Sequence, residues 1–454
     1  MNDDQDLNAF WSPLVDAFPL ESITQHDPMG GVNLSTYLSR PDMERDLRKL
    51  RNSLSPKRGI QKAVLVGQRG SGKSSVLRYL SDELKKTHQV LWLDAINERA
   101  EVLKDPLAYY VTIGLCALQS MQQNNIEPDR KLFEVFLSAC LDTSVQQSET
   151  KNQDTFRFDT VAGIAVEILA TGAKAASLVD PSLLVATIAV DWARKLLQPF
   201  KMEDQQNDTL LNTRTTPPQL DRAAGRLTTF IQNCEYRLGK PFVVILDGLD
   251  KVNEVEARSF YEKAREIVRP DIRMILTGPE TLYTSMNFAD IEEFLSPFVV
   301  FNIRLDEAAR SGEKFLESLV RKRIELCGWQ LEQICAADVL ERLIAQSGGN
   351  IRTLINLVYE VFSAAETAEK TFVDMQDAQM AINHVQRAFL GKVDQENREI
   401  LRKFLAQPGP RRYPPNGQIA DQFLRNKYIL MYPMEGGVQY MLHPLVQKHL
   451  QETS

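Results

Sequence analysis

The stretch VLVGQRGSGKSSVL, from Val64 to Leu77, decides how the rest of the sequence is interpreted. Its apolar, partly β-branched beginning predicts a buried strand, and SSVLRYLSDELKK (residues 74–86) has the apolar spacing and terminal lysines of a helix. Between them, residues 67–74 match the pattern GxxxxGK[ST], in which glycines let backbone N–H groups turn inward around a phosphate. Because strand and helix flank the loop correctly, a bound nucleoside triphosphate is favoured over a Gly-rich turn without a ligand.

The pattern also assigns roles within the loop. Lys73 is expected to reach the outer phosphates, and the Ser74 hydroxyl is expected to bind Mg²⁺. The predicted nucleotide-binding residues are Gly67, Gln68, Arg69, Gly70, Ser71, Gly72, Lys73, Ser74 and Ser75.

A second apolar run, Phe242 to Leu246, ends in Asp247. It predicts a buried parallel strand whose terminal carboxylate holds Mg²⁺, with a turn-capping Asp as the alternative. Asp250 has two open interpretations: it orients the attacking water, or it caps a helix that begins near Glu254. If Asp250 is only a cap, hydrolysis should be slow and the site should act as a switch.

Three further strands are predicted at QVLWL (89–93), RMIL (273–276) and PFVVFNI (297–303), with a helix from residue 106 to about 121. This β/α alternation predicts a parallel, doubly wound sheet. Thr277 follows RMIL, so it either touches the γ-phosphate or water, or is an ordinary turn residue.

After Leu305 the pattern becomes helical, with helices predicted at 306–326, 337–346, 350–364 and 375–389. Asn350 follows two glycines and is expected to cap the third of these helices. Arg352 lies in its first turn. In a lid folded over a nucleotide it would contact the γ-phosphate; otherwise it is a solvated helix arginine.

The last segment is typical of a short winged-helix-like module. Helices are predicted at 394–407 and 418–426, strands at 428–432 and 438–442 around the turn MEGG, and a closing helix in HPLVQKHL. Its basic residues, either nucleic-acid contacts or a solvated face, are Arg411, Arg412, Arg425 and Lys427. The Pro-rich stretch at 408–417 disfavours a second, DNA-bracing helix, although DNA binding through 408–446 stays an alternative.

The predicted domains are an N-terminal extension (1–36), a phosphate-loop core (37–304) with an insertion at about 124–216, a helical lid (305–390) and the winged-helix-like module (391–454). A net charge of −7 excludes a global basic field for nucleic acid. Scattered cysteines and an acidic N-terminus without an apolar signal core predict a cytoplasmic protein. The apolar stretch 161–190 is interrupted by charges and a proline, so a buried hairpin is favoured over a membrane segment.

The motifs GQRGSGKS, ILDGLDK, LTGP, SGGNIRTL and the terminal HPL together resemble those of STAND and origin-recognition-like AAA+ ATPases, over residues 37–446. In addition, LSRPDMERDL (38–47) is similar to the segment that lines the adenine pocket in such proteins, which adds Arg40 to the nucleotide-binding residues. The chain departs from these proteins in its long insertion, its abbreviated wing and Lys251, where many carry an acid.

The resemblance implies an α/β fold with a P-loop NTPase sheet, a helical lid and a winged-helix-like domain. It implies that ATP and Mg²⁺ are cofactors of a slow ATPase, with Lys73, Asp247, Asp250, Thr277 and Arg352 as the catalytic set. Such an ATPase would be a nucleotide-dependent switch for a separate protein effector, as in bacterial antiviral defence, and homo-oligomers would fit it. A DNA-binding ATPase of loader or transposition type, or a membrane-associated ATPase, is the alternative.

Overall fold

The computed structural model describes most of the chain outside the long insertion. The described residues are 7–18, 40–55, 61–95, 106–141, 217–251, 260–284, 291–305, 310–391, 393–407, 411–415, 418–435 and 437–452.

A parallel five-stranded sheet lies at the centre of the molecule. Its strands are β1 (Lys62–Val66), β2 (Gln89–Asp94), β3 (Phe242–Asp247), β4 (Arg273–Gly278) and β5 (Ser296–Val299). The spatial order is β2-β3-β4-β1-β5, and every neighbouring pair is parallel. This confirms the predicted doubly wound sheet and brings the ends of β1 and β3 to one edge, where α/β proteins bind ligands.

Both faces of the sheet are covered, which explains why the strands are almost continuously apolar. The helices of this part are α2 (Glu44–Ser53), α3 (Lys73–Lys85), α4 (Pro106–Gln123), α5 (Arg130–Leu141), α6 (Pro217–Leu238), α7 (Ala264–Ile267) and α8 (Glu280–Thr284). In β1, Leu65 packs with α2 and α3, whereas Val64 and Val66 pack with α4, α5 and α6. Helix α5, which was not predicted and lies within the predicted insertion, therefore belongs to the core of the sheet.

The helical lid follows the sheet. It comprises α9 (Ser311–Leu326), α10 (Leu331–Ile334), α11 (Ala337–Ser347), α12 (Ile351–Thr367) and α13 (Met375–Leu390). The Asn350 side chain accepts a hydrogen bond from the Thr353 N–H at 3.1 Å, which confirms it as the N-cap of α12. The N-terminal helix α1 (Leu7–Asp16) packs into the same core, because Trp11 and Phe18 are fully buried beside Phe362.

The C-terminal module consists of α14 (Gln395–Leu405), α15 (Gln418–Arg425), the antiparallel hairpin β6 (Ile429–Met434) and β7 (Gly437–Leu442), and α16 (Pro444–Glu452). No second helix forms among the described residues of the Pro-rich stretch, where Arg411 instead makes a β-bridge to Tyr440. The predicted fold class, a P-loop NTPase sheet with a lid and a hairpin-bearing C-terminal module, is thus confirmed.

Strand β5 is shorter than predicted, and the reason lies in its continuation. The Val300 N–H still donates to the Val66 carbonyl of β1 at 2.8 Å, and residues 301–303 then leave the sheet. The Asn302 N–H donates to the Met431 carbonyl at 3.0 Å, and the Ile303 N–H donates to the Gly349 carbonyl at 3.1 Å. An apolar run alone does not reveal which backbone partner a segment will find.

The predicted apolar hairpin at 161–190 lies outside the described residues. Among the helices that the structure does describe, none combines the length and the apolar character needed to cross a bilayer.

Candidate functional site

The phosphate loop is folded tightly between the end of β1 and the start of α3. Gly67 and Gly70 have φ values of +155° and +91°, which side-chain-bearing residues rarely adopt. A Cβ on Gly70 would lie 2.7 Å from the Arg352 Cβ, and one on Gly67 would lie 2.3 Å from the Val300 carbonyl oxygen. Glycines therefore let the loop contact both the chain that leaves β5 and the first turn of α12.

Lys73 is 4% exposed and lies inside the loop. Its Nζ donates to the carbonyl oxygens of Gly67 and Gln68, at 2.6 and 3.0 Å. It also forms an ion pair with Asp250, with 2.9 Å between Nζ and Oδ2. The other carboxylate oxygen of Asp250 is buried without a hydrogen-bond partner among the described residues. Asp250 is thus part of the site; its proposed role in hydrolysis stays a prediction, and the alternative cap near residue 254 lies outside the described residues.

The two predicted Mg²⁺ ligands lie side by side. The Ser74 hydroxyl donates to Asp247 Oδ1 at 3.1 Å, and the Gly248 N–H donates to the same oxygen at 2.8 Å. Burial raises the pKa of Asp247, an effect opposed by the nearby Lys251. A hydroxyl and a carboxylate fit Mg²⁺, which commonly takes a few protein oxygens and completes its shell with water and phosphate. In the described part of the chain, no group of three or more His, Cys, Asp and Glu residues could hold a metal ion.

Thr277 lies within β4, and its hydroxyl is fully buried. That hydroxyl donates to the Leu246 carbonyl at 3.4 Å and accepts from the Leu249 N–H at 3.2 Å, so it ties β4 to the segment after β3. A hydrogen bond from this hydroxyl to a phosphate oxygen would require its bond to the Leu246 carbonyl to break. The predicted catalytic role of Thr277 stays a prediction.

The lid brings Arg352 to the phosphate loop. Its backbone N–H donates to the Gly70 carbonyl at 3.3 Å, and the Asn350 amide nitrogen donates to the Arg69 carbonyl at 3.3 Å. Burial lowers the pKa of Arg352, the charge of Arg69 lowers it further, and Asp250 opposes the shift. Arg69, in the loop, and Asp250, after β3, are therefore the charges that act on the Arg352 guanidinium.

Arg40 is fully buried and contacts the backbone of the loop. It donates from Nη1 to the Ser71 carbonyl at 2.6 Å and from Nη2 to the Phe301 carbonyl at 3.0 Å, and it pairs with Asp42. Through these bonds, Arg40 connects the backbone of the loop to the chain after β5. Its expected place in an adenine pocket stays a prediction.

Of the remaining loop residues, the Ser71 hydroxyl is buried without a partner among the described residues, and Ser75 is half-buried in the first turn of α3. A buried hydroxyl without a partner suits a loop that binds an anion, since it has a hydrogen bond still to donate.

The sequence does not reveal which groups the Gln68 side chain contacts. This side chain is 1% exposed and makes four hydrogen bonds. Its Nε2 donates to the Leu424 and Ile429 carbonyls at 3.0 and 2.7 Å, and its Oε1 accepts from the Met431 N–H at 2.8 Å and from Asn302 Nδ2 at 2.5 Å. Asn302 Oδ1 in turn accepts from Asn350 Nδ2 at 2.9 Å. We call Gln68, Asn302 and Asn350 the junction, since they join core, lid and C-terminal module at the phosphate loop.

Glu280 is a second residue whose burial near the site the sequence does not reveal. It begins α8, it is buried, and burial raises its pKa to about 7, while Lys73 and Arg425 oppose that shift and Asp250 adds to it. The only sequence signal is an acid directly after LTGP, which also fits an ordinary first-turn helix residue.

Comparisons with known proteins add little beyond the fold. No family model matches the chain, and no curated protein matches it in sequence. The structure of Aeropyrum pernix ORC1 in complex with DNA is 13% identical, with a TM-score of 0.38, over 91% of this chain and 93% of that one. Drosophila ORC bound to DNA is 11% identical (TM-score 0.37; 99% and 93%), and the Thermotoga maritima RuvB Holliday junction branch migration motor is 10% identical (0.37; 92% and 96%). Similarity this weak leaves function to be argued from the site itself.

Proposed function

We propose that this chain binds ATP with Mg²⁺ at the phosphate loop, hydrolyses it slowly, and acts as a nucleotide-dependent conformational switch for a protein effector. The observation that carries the proposal is the junction. Gln68 belongs to the phosphate-binding pattern, yet all four hydrogen bonds of its side chain reach the C-terminal module or the chain after β5. A ligand that reshapes the loop must therefore act on the position of the module.

The residues of the site suit this chemistry. Lys73, Arg69 and Arg352 supply positive charge for phosphate oxygens, and the loop supplies inward N–H groups. Ser74 and Asp247 would hold Mg²⁺, which when bound neutralises charge on the phosphates. The Ser71 hydroxyl can donate to the bound anion.

Slow turnover follows from the Lys73–Asp250 ion pair. While Asp250 is paired with Lys73, the ammonium group occupies its Oδ2, which is therefore not available to orient a water molecule. A phosphate that draws Lys73 away would release Asp250 to orient a water molecule. Hydrolysis would thus depend on a rearrangement of this pair, which is the behaviour of a switch.

The alternative of a DNA-binding ATPase receives no specific support from the basic residues of the module. The Arg411 guanidinium donates to the carbonyls of Phe404 and Leu405 at 2.7 Å each, and it covers the Phe404 ring. The charge of Arg425 opposes the rise in the pKa of the buried Glu280. These two side chains are engaged within the protein, so they do not form one basic surface with the exposed Arg412.

The test of nucleotide binding is the variant Lys73→Ala. Loss of a charge-assisted phosphate contact should lower ATP affinity at least about tenfold in calorimetry. The matched control is Lys86→Ala, at the exposed far end of α3, which should bind as the wild type does. Since Lys73→Ala leaves Asp250 buried and unpaired, the double variant Lys73→Ala/Asp250→Asn should recover stability but not affinity. Wild-type ATP affinity in a folded Lys73→Ala protein would refute the proposal.

A further inference from the structure

The turn after α15 lies directly on the phosphate loop. Gln68 Nε2 holds the carbonyls at both ends of this turn, Leu424 and Ile429, at 3.0 and 2.7 Å. The turn between these two contacts carries Lys427. The C-terminal module is therefore fixed to the loop by the residues that position this lysine.

Lys427 has a backbone conformation that favours glycine. Its φ is +62°, and its N–H bonds to the Leu424 carbonyl at 3.0 Å while the Tyr428 N–H bonds to the Phe423 carbonyl at 2.9 Å. This is the hydrogen-bond pattern of a helix C-cap in which the left-handed position is usually occupied by glycine. Glycine adopts this conformation without strain, so a lysine at this position lowers the stability of the turn.

The Lys427 ammonium group lies among other cations. It is 5.7 Å from the centre of the Phe389 ring. Burial, followed by the charges of Arg352 and Arg69, lowers its pKa to about 8. Within the described ranges, none of these three cations forms an ion pair. Core, lid and C-terminal module thus each place a positive charge beside the phosphate loop, and among the described residues the Asp250 carboxylate acts on Arg352 in the opposite sense.

In this cluster Lys427 and Arg352 are half-buried, whereas Arg69 is exposed. Half-buried like charges repel each other, and a bound anion would relieve that repulsion. The loop beside the cluster has the form of an anion site, and its Ser71 hydroxyl has no partner among the described residues. We propose that Lys427 is a phosphate-binding residue that the C-terminal module contributes to the nucleotide site, where it contacts the outer phosphates of ATP. The inference rests on the proposed function and adds a residue of the module to it.

Lys427→Gly tests this contribution with two readouts of opposite sign. Glycine relieves the left-handed strain and removes a repelled cation, so the ligand-free variant should unfold at a higher temperature than the wild type. Loss of a charged phosphate contact should lower its ATP affinity about tenfold or more in calorimetry, while AMP, which lacks the outer phosphates, should bind both proteins equally. Lys427→Arg should retain most of the ATP affinity.

The matched control is Glu369→Gly. Glu369 is exposed, has a φ of +51°, and caps α12 with the same pair of backbone bonds, from the N–H groups of Glu369 and Lys370 to the carbonyls of Glu366 and Ala365. It should raise the unfolding temperature without any change in ATP affinity.

If Lys427→Gly is stabilised but binds ATP like the wild type, the inference is overturned. A loss of DNA binding by this variant would not rescue it. If the wild type binds ATP and only Lys73→Ala weakens it, the proposed function stands without the inference. If the wild type binds no ATP, both fall.

Discussion

At the scale of single residues, the site is a set of buried charges that neighbours hold in place. Lys73 is paired with Asp250, while Asp247 is bonded to Ser74 and the backbone. Replacing one member of such a set leaves its partner buried without compensation, which generally destabilises a protein by several kcal/mol. Isosteric changes and paired changes are therefore the informative ones here.

Glu280 gives a prediction about pH at this scale. Burial raises its folded-state pKa from 4.5 to about 7. The stability linked to its proton is therefore fully present below pH 4.5 and lost as the pH rises through about 7. Glu280→Gln removes this loss, so between pH 5 and pH 8 its stability should rise relative to the wild type by as much as about 3 kcal/mol.

Denaturant unfolding of both proteins across this pH range measures the difference. Glu293→Gln, an exposed change on the segment before β5, is the control and should follow the wild-type profile. A constant gap between Glu280→Gln and the wild type would show that Glu280 is ionised throughout.

Sequence patterns were informative for residues whose role is local. The pattern GxxxxGK[ST] predicted the phosphate loop, and an acid after an apolar strand predicted the position of Asp247. The two glycines before α12 predicted Asn350 as its N-cap. The partners of Gln68, Arg40 and Lys427 could not be predicted, because each depends on a segment far away in the chain. The Gln68 contact with Ile429 spans 361 positions.

At the scale of elements, the phosphate loop is a meeting point for β1, the chain after β5, the start of α12 and the turn before β6. The secondary structure itself was largely predictable from apolar periodicity, since most helices and strands are amphipathic or fully buried. Apolar periodicity could not predict that α1 packs with the lid or that α5 packs in the core of the sheet. Those placements depend on tertiary contacts such as Trp11 with Phe362 and Phe133 with Phe230.

Gln68→Ala tests the junction at this scale. It leaves the Ile429 carbonyl and the Met431 N–H without the Gln68 amide, each at a cost of about 1–3 kcal/mol if water cannot replace it. The Leu424 carbonyl loses its hydrogen bond from Gln68 and keeps the one from the Lys427 N–H. The module should loosen, and its trypsin sensitivity should become equal with and without ATP.

The control for this change is Gln386→Ala. Gln386 is also buried, and its Nε2 donates to the Leu445 carbonyl of the module at 2.9 Å, away from the phosphate loop. It should lower stability but keep the effect of ATP on proteolysis. If Gln68→Ala keeps that effect as well, the junction does not transmit the state of the loop.

At the scale of the whole molecule, three parts that lie far apart in the sequence converge on one loop. Core, lid and module each supply a cation, namely Arg69, Arg352 and Lys427. The junction also connects the three parts, because Gln68 bonds to the Ile429 carbonyl of the module and Asn302 bonds to Asn350 at the start of α12. The acidic chain, with a net charge of −7, thus places positive charge where a polyphosphate would bind. A switch of this construction needs no large motion within the sheet, because the contacts that would change lie between the three parts.

Amide hydrogen exchange of the full chain tests the central claim most directly, by comparing it without nucleotide, with Mg²⁺ and a non-hydrolysable ATP analogue, and with ADP. We predict protection of residues 67–75 by both nucleotides, together with a difference between the analogue and ADP at residues 424–431, where Gln68 holds the module. Protection of the loop with identical exchange at residues 424–431 in all three states would contradict the claim that the module responds to the nucleotide.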